Sequence, residues 1–233
     1  MAAGAVTTAD AGPGAAALPP LEVVAARLAE VRARIERAGG DPGGIEVVAV
    51  TKGFPVAAVD VALALGLRHV GENYAAELVG KAAAYAPGTG PRWQFLGAIQ
   101  RRRVPRLAPV VACWQTVCRP AEGESLARHA PGATVLVEVD TTGLPGRNGV
   151  APAAVAPLVS SLAALGLRVA GLMTVAPPGP AARAAFATTA RVGAELGLRE
   201  LSMGMTDDLE AAVAEGSTMV RVGRALFGPR PAP

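Results

Sequence analysis

The stretch Ile45-Glu46-Val47-Val48-Ala49-Val50-Thr51-Lys52-Gly53-Phe54-Pro55 decides how this chain folds. Val47 to Val50 form an unbroken apolar run, the mark of a strand buried on both faces, as in a parallel sheet. It is followed by Lys52-Gly53-Phe54-Pro55 and not by G-x-G-x-x-G, the phosphate turn that usually opens a doubly wound sheet. Outward from this strand, apolar runs recur at 67–70, 93–97, 111–117, 133–139, 168–172, 199–202 and 218–222. Alanine-rich segments with helical spacing lie between them, near 55–65, 73–84, 100–108, 120–129, 151–164, 181–196 and 207–214. Eight strands alternating with helices, without an internal linker, predict an α/β protein: a single-domain parallel (β/α)8 TIM barrel. The open doubly wound sheet is the rival, and it lacks its phosphate turn here.

Leu21, Val24, Leu28, Val31 and Ile35 fall at helical spacing and Gly39-Gly40 follows, so an extra N-terminal helix precedes the barrel. Residues 1–20, rich in Ala, Gly, Pro and Thr, lack the basic and leucine-rich regions of a signal peptide. They are expected to be a disordered tail, with residues 21–230 as the domain. Gly, Pro and Arg interrupt every apolar run, so no membrane span is predicted and the chain reads as cytoplasmic. Hydrophobic residues make up 51% but aromatics only 3%, which predicts a core of Ala, Val and Leu. A net charge of +3 is too mild to argue for a nucleic-acid surface. Arg101-Arg102-Arg103 with Arg106 reads as a solvated helix face. Cys113 and Cys118, without companions, read as reduced core thiols, and His69 and His129 have no metal partner at useful spacing.

Chemistry in such a barrel sits at the C-terminal ends of the strands, and a phosphate often binds in the loops after strands seven and eight. Lys52 closes the first strand, and only one other lysine, Lys81, stands against twenty arginines. Arg carries charge but stays protonated, whereas a desolvated lysine amine can attack a carbonyl to form a Schiff base. A lysine snorkelling from a strand end is the plainer reading. Closure places strand eight beside strand one, so Arg221 and Gly223 neighbour Lys52. In Ser202-Met203-Gly204-Met205-Thr206-Asp207-Asp208, Gly204 permits a tight turn, Thr206 suits an N-cap, and the aspartates suit a first helical turn. Ser202 and the loop amides can also cradle a phosphate. Asn73 and Tyr74 either contact a ligand or only cap the following helix, and Glu72 reads as structural.

Val48-Ala49-Val50-Thr51-Lys52, Gly71-Glu72-Asn73-Tyr74, Phe95-Leu96-Gly97 with Gln100, Gly171-Leu172-Met173 and, above all, Leu201 to Gly228 resemble the pyridoxal phosphate homeostasis proteins. That family is similar to the N-terminal barrel of alanine racemase. The resemblance covers residues 21 to 230. It implies that Lys52 forms a Schiff base with pyridoxal 5′-phosphate and that Arg221 faces the pyridine nitrogen. It further implies that Ser202, Gly204, Thr218, Gly223 and nearby amides surround the phosphate, with Asn73 near the ring and Met173 counted among the cofactor residues. Gln94 stands where members often carry His. Arg101-Arg102-Arg103 replaces a Ser-Asn-Lys stretch, and Arg147-Asn148-Gly149 replaces Lys-Ser-Gly.

The function the resemblance implies is a carrier that stores, buffers or delivers the cofactor, with apo-enzymes as recipients and without catalysis. Arg at the pyridine nitrogen leaves a weaker electron sink than Asp would. Racemisation also needs a second acid/base group, and Tyr74 and Tyr85, the only tyrosines, have no evident claim to that place. Racemases draw that tyrosine from a partner's added β domain, whereas this sequence ends at Pro233, just past the last strand, and a monomer is expected. The alternatives are a slow amino-acid racemase or other pyridoxal phosphate enzyme, a cofactor-free Schiff-base aldolase, and an RNA- or partner-binding module using the 101–106 arginines.

Overall fold

The computed structural model describes residues 18–230. Eight parallel strands close into a barrel in chain order, β1 (Glu46–Val50), β2 (His69–Glu72), β3 (Arg92–Phe95), β4 (Val111–Val117), β5 (Thr134–Val139), β6 (Arg168–Thr174), β7 (Glu200–Ser202) and β8 (Met219–Val222). Every expected strand is present. After α1 (Leu21–Arg37), helices α2 (Ala57–Ala64), α3 (Ala75–Ala82), α4 (Val104–Leu107), α5 (Pro120–His129), α6 (Val155–Ala164), α7 (Ala181–Glu195), α8 (Leu209–Ala214) and α9 (Arg224–Phe227) wrap the outside. Helix α9 has no counterpart among the expected helices. Most of the tail expected over 1–20 lies outside the described residues, while Leu18 packs against the core.

Alternation explains how each strand divides its side chains. Val220 and Val222 of β8 join the main core between sheet and helices, and so do Val47 and Ala49 of β1. Met219 and Arg221 have the opposite parity and enter the lumen. There the apolar filling is thin: Cys113, Leu136 and Met173 form a separate small cluster. Both cysteines are buried and unpaired, as expected.

Barrel closure runs through β1 and β8, with Glu46 opposite Met219 and Val48 opposite Arg221. Helix α1 braces this seam. Its buried stripe of Val24, Leu28, Val31 and Ile35 contributes about 2 kcal/mol per side chain, and truncating Leu28 to Ala would cost about 3 kcal/mol. Arg34 pairs with Glu210 of α8 at 2.6 Å and Arg27 donates to the Leu226 carbonyl of α9 at 3.0 Å. The helix ends where expected, at Gly39 with φ of +85°, a conformation that favours glycine.

Candidate functional site

A cavity of about 730 Å³ opens at the C-terminal ends of the strands. Of the predicted site residues, Lys52, Asn73, Met173, Arg221 and Gly223 line it, so residues far apart in sequence meet as the barrel argument required.

The loop carrying Lys52 is held from behind. Thr51 N donates to Gly71 O at 3.1 Å and Thr51 Oγ1 donates to Glu72 Oε1 at 2.6 Å. Gly53 N donates to Glu77 Oε1 at 2.7 Å. Lys81 Nζ reaches the Thr51 carbonyl at 2.7 Å, Glu72 Oε1 at 2.6 Å and Glu77 Oε1 at 2.7 Å. An ammonium has three donors, and all of Lys81's are spent on this loop and its supports. Glu72 is therefore structural, as expected, although burial raises its pKa and its Oε2 lacks a partner among the described residues. Lys52 itself is half-buried and makes no salt bridge among the described residues. Burial pushes its pKa below the usual lysine value and the Arg230 cation adds to the shift, while Glu72 opposes it.

Arg221 is buried on the adjacent strand. Nη1 donates to Ser202 O at 2.6 Å and to Ser202 Oγ at 2.8 Å, and Nη2 donates to Thr174 O at 2.8 Å. Three of the five guanidinium N–H donors are thus engaged, leaving two for the cavity that Arg221 lines. No carboxylate among the described residues forms a salt bridge with it, and burial pushes its pKa down to about 10, against the pull of Asp208 and Glu138. It remains a cation at neutral pH with donors to offer. Asn73 presents the complementary deficit: its Oδ1 is buried and accepts no hydrogen bond among the described residues. Gly97 sets its place, since a Cβ there would lie 1.9 Å from the Asn73 carbonyl oxygen.

Three predicted residues lie elsewhere. Thr218 precedes β8, at the opposite end of the barrel, where its Oγ1 accepts from Leu201 N at 2.8 Å. Strand direction removes it from the mouth. Ser202 points into the lumen and is fully buried, donating to Gln115 Oε1 at 2.7 Å; it positions Arg221 and does not line the cavity. Gly204, with φ of +88°, shapes the turn, and its carbonyl accepts from Arg221 N at 3.0 Å.

In their stead the cavity is lined by Thr206, Arg224 and Arg230. Thr206 is not the N-cap of α8, which starts at Leu209; its Oγ1 accepts from Ala225 N at 3.3 Å and so ties the β7 loop to α9. Asp207 pairs with Arg224, and Asp208 Oδ1 accepts from Met205 N at 2.5 Å, which makes both aspartates structural, as expected. Of the amides that open α9, Ala225 N is spent on Thr206 Oγ1 and Leu226 N on Gly223 O. Gly223, whose added Cβ would approach Val50 O to 2.9 Å, lines the cavity together with Thr206 and Arg224. The departures at 147–148 are structural at the rim: Arg147 Nη2 donates to Val175 O at 2.6 Å and Asn148 Nδ2 donates to Glu138. No His, Cys, Asp or Glu cluster among the described residues could hold a metal ion.

The alanine racemase N-terminal domain family matches residues 21–231. A pyridoxal phosphate homeostasis protein of Pseudomonas aeruginosa is 38% identical over 224 residues, covering 90% of this chain and 97% of that protein. The chain belongs to the pyridoxal phosphate homeostasis family. Among solved structures, PipY of Synechococcus elongatus without PLP superposes with a TM-score of 0.79 at 33% identity, covering 88% of this chain and all (100%) of that one. The same protein with PLP bound gives a TM-score of 0.75 at 32% identity with the same coverage. Family membership accounts for the barrel and its strand order. The arrangement around Lys52 and Arg221 rests on this chain's own residues. No helix among the described residues is long and apolar enough to cross a membrane.

Proposed function

We propose that this protein binds pyridoxal 5′-phosphate at the barrel mouth, attached through Lys52, and buffers or delivers it rather than using it in turnover. One observation carries the reading: an amine of depressed pKa and a buried guanidinium with two unspent donors share one cavity, and neither forms a salt bridge with a carboxylate among the described residues. Such a pair suits a ligand with an aldehyde at one place and a hydrogen-bond acceptor at another. When bound, the cofactor supplies the aldehyde carbon that a lysine amine attacks. Lys52 supplies that amine, Arg221 supplies donors for the ring nitrogen, and the orphaned Asn73 Oδ1 awaits a donor. Thr206, Gly223 and Arg224 are the residues for the phosphate, with Arg230 adding positive charge at the rim. Family membership and the pyridoxal phosphate complex of the PipY relative support the same ligand.

A carrier role is favoured over turnover by what faces Lys52. Arg221 can donate to a ring nitrogen but does not surrender its proton, so the bound ring is a poor electron sink. Among the described residues no second acid/base group is free across the cavity: Asp207 is held by Arg224 and Asp208 by the Met205 amide. Tyr74 is 60% exposed and off the cavity lining, and Tyr85 donates to Asp60 at 2.7 Å on the outer surface. Loaded protein mixed with a pyridoxal phosphate-free aminotransferase should restore its activity, while L- and D-alanine remain unconverted above a Lys52→Ala control. Alanine turnover that vanishes in that control would overturn the carrier reading in favour of an enzyme.

A further inference from the structure

Five polar side chains form an unbroken hydrogen-bonded file through the barrel lumen. Arg221 Nη1 donates to Ser202 Oγ at 2.8 Å, and Ser202 Oγ donates to Gln115 Oε1 at 2.7 Å. Gln115 Nε2 donates to Gln94 Oε1 at 2.8 Å, and Gln94 Nε2 donates to His69 Nδ1 at 3.0 Å. His69 opens β2 at the far end of the barrel, where its Nε2 lies 3.7 Å from Glu46 Oε2 beside a second, solvent-facing cavity. The file therefore joins the residue at the mouth to a titratable ring at the opposite end.

Every donor in the file points away from Arg221. Two side contacts fix that direction, because each amide nitrogen also meets an acceptor: Met219 Sδ at 3.1 Å from Gln115 Nε2, and Arg92 O at 3.4 Å from Gln94 Nε2. His69 must then accept at Nδ1 and carry its proton on Nε2, towards Glu46. A second proton, on Nδ1, would set an N–H against the Gln94 amide nitrogen. Rotating that amide relieves the clash but turns its nitrogen on Gln115, whose rotation in turn presents N–H to Ser202. Ser202 Oγ would then accept from Gln115 and Arg221 together, and its own hydrogen would have to leave the file. Buried polar groups without partners are costly, so the reversal is all or nothing.

We propose that His69 sets the hydrogen-bond polarity of the lumen, with Gln94 and Gln115 as positioning residues for Arg221, so that a proton gained at the far end reverses the file as far as Ser202 Oγ, the hydroxyl that anchors Arg221 beneath the mouth. Burial, the largest influence, holds the pKa of the His69 ring below its ordinary value. Glu46 on β1 and Glu200 on β7 favour the protonated ring, while Arg92 on β3 opposes it. Arg32 of α1 and Arg68 line the same cavity. Cys113 on β4 shares Arg92 and Glu200 as charged neighbours, but burial pushes its thiol up to about 12 and it stays neutral.

The consequence for bound cofactor rests on the pyridoxal phosphate reading; the file itself does not. Cofactor-free protein labelled with ¹⁵N should be titrated from about pH 8 to about pH 5, the range in which His changes charge, with the His69 ring and Arg221 guanidinium nitrogens followed by NMR. The expected result is one shared midpoint for both residues, with the Arg221 response lost in Gln115→Met although His69 still titrates. His69→Gln, which removes the titrating ring while keeping an amide, should also abolish the Arg221 response and serves if Gln115→Met fails to fold. An Arg221 signal that stays fixed while His69 titrates, or that moves equally in the variants, overturns the proposal. In loaded protein the visible absorption should shift at the same midpoint, and a flat spectrum beside coupled apo titrations would overturn the reach to the cofactor. Failure to take up pyridoxal phosphate would sink the cofactor reading while the apo titration still decides the file.

Discussion

The two lysines of this chain lie on opposite sides of one loop and have opposite surroundings. Lys81 is 6% exposed, donates to three oxygens and pairs with Glu72 and Glu77. Lys52 is half-buried, pairs with nothing among the described residues, and has Arg230 and Arg221 among the charges that disfavour its protonated form. A fully partnered ammonium holds structure together. An unpartnered amine whose burial lowers its pKa holds its proton less tightly and is the readier nucleophile. In a chain rich in arginine, lysine thus stands at these two positions for different reasons. At position 81 a compact head must meet three oxygens, and at position 52 the cation must be able to deprotonate.

The comparison can be broken in several ways. Lys52→Arg keeps the charge and removes the nucleophile, so covalent uptake of pyridoxal phosphate should be lost completely. Lys81, still present, should remain unlabelled by mass spectrometry after reduction. Next in size, Lys81→Met leaves the buried Glu72 carboxylate without its partner and should lower stability by about 3 kcal/mol in denaturant unfolding. The double change Lys81→Met with Glu72→Met should recover much of that loss, because both charges then leave the interior together. The pH dependence of uptake sharpens the contrast further. Only the unprotonated amine attacks, and the pKa of Lys52 is depressed, so the uptake rate should reach half its maximum below the roughly 10.4 of an ordinary lysine. Arg230→Ala removes a repelling cation, raises the Lys52 pKa and should move that midpoint upward in stopped-flow absorbance. The smallest effect is expected from changing Arg101, Arg102 and Arg103 together to Ser. All three are exposed, and stability should stay within about 0.5 kcal/mol with uptake unchanged.

Much of this was legible in the sequence, and the failures have physical reasons. Strands of a parallel barrel are covered by helices, so they read as apolar runs, and all eight were visible. Helix α9 was not, because the four residues from Arg224 to Phe227 complete no periodic pattern. Lys52 and Arg221 were legible through closure, since strand one must neighbour strand eight. Thr218 was placed at the phosphate by the family resemblance alone, whereas it enters β8 and does not leave it. Ser202 misled by parity: the last residue of β7 faces the lumen, and the mouth begins with Met205 and Thr206. The lumen file did leave a trace. Gln94 and Gln115 interrupt apolar strands, a pattern that calls for buried partners. Lys81 left less, because Glu77 and Lys81 four apart on a helix look like an ordinary surface pair.

The most direct test of the account is to incubate the protein with pyridoxal 5′-phosphate, reduce with borohydride and map the peptides. The account predicts a yellow protein whose visible band disappears on reduction, leaving a single phosphopyridoxyl mass on the peptide containing Lys52. Colourless protein, or a label spread over Lys81 and the N-terminal amine with Lys52 unmodified, would contradict it.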